Sequence, residues 1–123
     1  MNVLMLSPGY PAEMPEFTRG LAEVGATVIG VGDQPAGALP EVARRALSAY
    51  LQVRNLFDEQ AAVRQVAAEL GGRRIDRVEC NWEPLMLLAA RLREALGAPG
   101  LTVAETVPFR DKERMKRVLD AAV

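Results

Sequence analysis

Five short apolar runs recur along the chain at a nearly constant interval, and this rhythm restricts the fold more than any other feature. VLML (3–6), ATVIGV (26–31), AYLQV (49–53), DRVECN (76–81) and LTVAE (101–105) begin about 23 to 27 residues apart. Strands separated by that much chain are joined by crossovers, not hairpins. The first two runs are almost wholly apolar, which suits strands covered on both faces of a parallel sheet. The segments between them carry helix signals. Pro15 opens one helix, Phe17, Leu21 and Val24 give it an apolar stripe, and Gly25 follows as a left-handed cap. Asp58 is placed to cap another, and Pro84 opens a third whose Leu85, Leu88, Ala89, Leu92 and Leu96 share one face before Gly97. The pattern predicts an α/β fold: a single doubly wound sandwich with a mostly parallel sheet of about five strands, followed by a terminal amphipathic helix.

At 123 residues this is one domain's worth of chain, large enough to bury a core without staples. Half of the residues are apolar and the net charge is −1, so no global charge draws the chain to nucleic acid or to an anionic membrane. No run reaches transmembrane length, and Val3 to Leu6 is too short for the apolar core of a signal peptide. Cys80 is the single cysteine, which excludes an internal disulfide and fits a reducing, cytoplasmic setting. There is no histidine. Ser-His-Asp and Cys-His nucleophile arrangements and histidine-bearing metal sites are therefore excluded within this chain.

Doubly wound sheets bind ligands beyond the carboxyl ends of their strands. Three loops fall there: SPGYP after the first strand, with Ser7, Gly9 and Tyr10; GDQPAG after the second; and NWEP after the fourth. None is a phosphate cradle, because Gly30, Gly32 and Gly37 do not make GxGxxG and follow the wrong strand. A receiver domain needs acids where this chain has Met5 and Leu6. Glu83, ahead of Pro84, falls at a helix start where the helix dipole favours its charge, as a first-turn acid or a substrate contact. Trp82 reads as a packing residue. Cys80 reads as a small core residue whose thiol has no activating neighbour.

The stretch RDKERMKRVLDAAV (110–123) repeats Met115, Val118, Leu119 and Ala122 at helical spacing. Residues 108–123 hold five basic and three acidic side chains, and the chain's two lysines, Lys112 and Lys116, both lie here against thirteen arginines overall. A compact ammonium is a common phosphate ligand.

GAPGLTVAETVPFRDKERMKRVLDAAV resembles the junction of ATP-grasp enzymes, where a Rossmann-like pre-ATP-grasp domain passes through a Gly-Pro turn into a helix opening with Asp-Lys. DRVECNWEPLMLLAARLREALGAPG resembles that family's fourth strand, its Glu and the following helix. The resemblance covers the chain in architecture and residues 76–123 in motif. It implies a pre-ATP-grasp domain over 1–106 and the first helix of an ATP-grasp domain over 107–123. It further implies a ligase that activates a carboxylate as an acyl phosphate for attack by an amine or other nucleophile. Lys112 is then the candidate nucleotide contact, and Glu83, Ser7, Gly9 and Tyr10 are candidate substrate-binding residues. ATP and Mg2+ serve the full-length parent, whose metal-binding carboxylates would follow Val123. On this reading the chain alone is not catalytic, binds neither tightly, and has a small-molecule substrate and a possible homodimer as partners. Two other readings stay open: the acceptor-binding domain of a two-domain glycosyltransferase, suggested by the opening MNVLMLSPGYPAEMPEFTRGLAEVGATV, and a free-standing noncatalytic α/β interaction module.

Overall fold

The computed structural model describes residues 1–108 and 115–116. Four strands, β1 (Asn2–Leu6), β2 (Thr27–Gly32), β3 (Ala49–Gln52) and β4 (Arg77–Glu79), form a sheet in the order β3-β2-β1-β4. Every pairing is parallel, with Leu4 opposite Ile29 on one side and opposite Val78 on the other. The helices are α1 (Met14–Glu23), α2 (Glu41–Ala46), α3 (Glu59–Leu70) and α4 (Met86–Leu96), with single 3-10 turns at Ala36–Ala38 and Glu83–Leu85.

Strand alternation divides the core between the two faces of the sheet. Leu4, Leu6, Ile29, Val31 and Val78 pack with Ala62 and Val66 of α3 and Leu88, Ala89 and Leu92 of α4. Met5 and Val28 point the other way, onto Met14, Leu21 and Ala22 of α1 and Leu47 beyond α2. Helices thus cover both faces, and the winding reverses between β1 and β4. The apolar stripe expected on α1 does not face the core at Phe17 and Val24, which are exposed; α1 buries Met14, Pro15 and Thr18 instead. The helix caps at Asp58 and Gly97 act as expected. The Asp58 carboxylate accepts from the Ala61 N–H at 3.4 Å, and Gly71 (φ 56°) and Gly97 (φ 69°) end α3 and α4 in the left-handed conformation.

The fifth strand expected at 101–105 does not form: residues 103–108 are helical instead. The reason is local. Thr102 and Glu105 make a capping box, with the Thr102 N–H donating to the Glu105 carboxylate at 3.1 Å and the Glu105 N–H donating to the Thr102 hydroxyl at 3.2 Å. Thr-Val-Ala-Glu is thus a helix start whose β-branched residues imitate a strand. Beside it, the Arg93 guanidinium donates to the Val78 carbonyl of edge strand β4 at 2.8 Å and to the Leu101 carbonyl at 3.2 Å. A side chain thereby satisfies an edge carbonyl that a further strand would otherwise engage.

The Thr102 N–H and the Thr102 hydroxyl, which also donates to the Glu105 carboxylate at 3.0 Å, hold the Glu105 carboxyl below its usual range, the backbone N–H being the larger cause. A depressed folded-state pKa means that the cap contributes fully at neutral pH, above the unfolded pKa, and is lost as pH falls through the folded value. We expect Glu105→Ala to accelerate amide exchange in 103–108 at neutral pH and to change little once Glu105 is protonated. Equal acceleration at both pH values would show that the carboxylate does not hold this helix.

Candidate functional site

A cleft of about 130 Å³ opens at the carboxyl edge of the sheet, and each strand supplies part of its wall directly or through the loop that follows. From β1 come Ser7, Gly9 and Tyr10; from β2 come Gly32, Asp33 and Gln34; from β3 come Tyr50 and, in the following loop, Phe57; Trp82 comes from the loop after β4. This is the edge, next to the β1–β4 reversal, at which open α/β sheets bind ligands.

The first loop is held tightly. Ser7 has a φ of 53°, uncommon for a residue with a side chain. Its N–H donates to the Val31 carbonyl at 2.8 Å, and its hydroxyl donates to the Tyr10 carbonyl at 2.5 Å. These two bonds fix an otherwise unfavourable turn. Behind it, the buried Thr18 hydroxyl of α1 lies 2.8 Å from the Met14 carbonyl and 3.3 Å from the Pro8 carbonyl. A side chain at Gly9 would press on Leu39 and Pro40 at 3.0 Å, so the glycine lets this loop lie against the one after β2.

Three aromatic rings form one rim. The Trp82 ring meets Tyr10 edge to face at 5.1 Å and Phe57 at 5.9 Å, in arrangements that aromatic quadrupoles favour. Tyr10 is 55% and Phe57 59% exposed, whereas Trp82 packs partly into the core. Elsewhere in the lining the Tyr50 hydroxyl donates to the Gln34 carbonyl at 2.6 Å. Burial, then the nearby Asp33 charge, raises the Tyr50 phenol above its usual value, and the bond to Gln34 partly offsets this. Tyr50 is therefore a neutral hydroxyl at physiological pH. Asp33 is the only charged side chain among the described residues lining the cleft.

Of the residues singled out from sequence, Ser7, Gly9 and Tyr10 share this cleft with Trp82. Glu83 follows Trp82 in the 3-10 turn ahead of α4, in the first turn and outside the lining. Lys112 lies outside the described residues. Cys80 is partly buried against the core and donates to the Trp82 carbonyl at 3.2 Å; burial raises its thiol pKa, so it is not an activated nucleophile. Asp33, Tyr50 and Phe57 were not legible as site residues. The loop after β2 lacks a phosphate-binding glycine pattern, and its acid carries no pattern of its own.

Among the described residues no group of three or more His, Cys, Asp or Glu side chains is placed to hold a metal ion, and no helix is long and apolar enough to cross a membrane. No protein-family model matches the sequence, and no curated protein matches it. Among solved structures the chain is similar to an L-amino acid ligase from Bacillus licheniformis, with a TM-score of 0.66 and 23% identity over 83% of this chain and 25% of the ligase. The chain therefore spans about a quarter of that enzyme's length, and what the two share is the α/β fold described above.

Proposed function

We propose that this chain is the N-terminal, cleft-forming domain of an ATP-grasp carboxylate ligase, which activates a carboxylate as an acyl phosphate for attack by an amine or another nucleophile. The observation that carries the reading is the fold shared with a quarter of an L-amino acid ligase. The Asp-Lys resemblance at residues 111 and 112 supports it from the other end of the chain. In this reading the domain walls the substrate side of the active site through Ser7, Gly9, Tyr10 and Trp82, with Glu83 at the adjoining helix start.

The described residues do not fit Mg2+ or a triphosphate. They offer no carboxylate cluster for the metal, and the cleft lining contains neither Lys nor Arg. No step of phosphoryl transfer is therefore assigned to them, since that chemistry depends on a metal and a positioned set of charges. The residues of this chain orient a substrate and shield it from water. Lys112 is the proposed nucleotide contact, completed by other parts of the ligase.

A calorimetric titration of the chain with MgATP tests the division of labour. Weak or undetectable binding and no ATP turnover are expected. Tight binding that Lys112→Ala abolishes, at the level of a complete ligase, would mean that this chain holds a whole nucleotide site, and the reading would be wrong.

A further inference from the structure

The wall of the cleft carries a chemical preference of its own. Its volume of about 130 Å³ is far below the 300 to 1,000 Å³ of typical cofactor and drug-sized sites, and is close to the benzene-sized cavities of protein cores. It takes a group of a few heavy atoms. Three aromatic rings line the cleft, two of them more than half exposed. Asp33 lines it too, near the neutral Tyr50 hydroxyl, and no described cation lines the space. Aromatic rings and a carboxylate together suit a cation, and a carboxylate repels an anion. The Ser7 hydroxyl and the Tyr50 hydroxyl are each committed to a backbone carbonyl, so neither is left to donate to an incoming phosphate or carboxylate.

We propose that this cleft binds a small primary ammonium group, held between the Trp82–Tyr10–Phe57 rim and the Asp33 carboxylate. The proposal deepens the ligase reading and rests on it for the identity of the cleft as the substrate side. It assigns the domain to the amine-bearing substrate and leaves the phosphates elsewhere. It also gives Asp33, which no sequence pattern singled out, the role of charge partner.

Trp82 is the single tryptophan and lies in the rim, so it reports occupancy directly. The test is a fluorescence titration of the chain with n-propylammonium chloride, with uncharged 1-propanol of matched size, with sodium phosphate and with sodium chloride at equal ionic strength. Saturable change is expected with the amine alone. Asp33→Asn should weaken it by about tenfold or more, as loss of a partly screened charge pair would. Asp33 is exposed, so this variant should unfold at the wild-type temperature, and a thermal melt verifies that. Equal response to 1-propanol, or an unchanged amine affinity in Asp33→Asn, overturns the amine assignment while leaving the ligase reading standing. Preferential binding of phosphate overturns it too. Failure of the ligase reading shows separately, as tight MgATP binding or turnover by the chain.

Discussion

Leu4→Ala is expected to lower the stability of this domain by about 2–5 kcal/mol, a large part of the 5–15 kcal/mol that folded domains typically possess. Leu4 is fully buried in β1, the strand flanked by β2 and β4 at the point where the winding reverses. Its side chain belongs to the cluster shared with Val66 of α3 and Leu88 and Leu92 of α4. Truncation removes the transfer energy of the lost carbons and leaves a hole that a strand bonded on both sides cannot collapse around. The melting temperature should fall by about 10 °C or more. Val24→Ala, at a side chain 82% exposed, serves as the reference and should move it very little. A Leu4→Ala melt within a degree or two of wild type would mean that this face of the sheet is not the tightly packed core described.

The parts of this architecture that were legible in sequence are those fixed by local, repetitive signals. Apolar runs at VLML and ATVIGV specify β1 and β2 almost residue for residue, because a doubly covered strand has little alternative to a continuous apolar run; the extent of α1 was legible too, but not its buried face. The run LTVAE misled for a physical reason: Leu, Val and Thr favour strands, but the Thr102–Glu105 reciprocal bonds favour a helix start, and the Arg93 guanidinium already occupies a carbonyl of the β4 edge. Short-range capping won over β propensity. The cleft was legible only in part. Ser7, Gly9 and Tyr10 sit in one loop beyond a clear strand, so topology alone places them on the ligand edge. Asp33, Tyr50, Phe57 and Trp82 come from three different segments, and their meeting depends on the strand order, which no local pattern encodes.

Gly32→Ala should destabilise the domain by about 1–3 kcal/mol, and Tyr50→Phe should rescue part of that loss. Gly32 is the last residue of β2 and lines the cleft. A Cβ there would lie 2.5 Å from the Tyr50 hydroxyl oxygen and 3.3 Å from the ring carbon that bears it. The phenol must move, and moving it breaks the 2.6 Å bond to the Gln34 carbonyl and shifts part of the cleft lining. Tyr50→Phe alone forfeits that one hydrogen bond, about 1 kcal/mol. In the double variant the closest remaining approach is the 3.3 Å contact with the ring, which a small adjustment accommodates. The two changes should therefore be non-additive, with the double variant more stable than the sum of the singles by about 1 kcal/mol in a double-mutant cycle. The cleft should follow the same order: Gly32→Ala should weaken the Trp82 response to n-propylammonium, and the added Tyr50→Phe should recover part of it. Strict additivity in the cycle would mean that the Gly32–Tyr50 approach does not constrain the fold, and with it the claim that β2 leaves its last side chain off to make room for the cleft wall would fall.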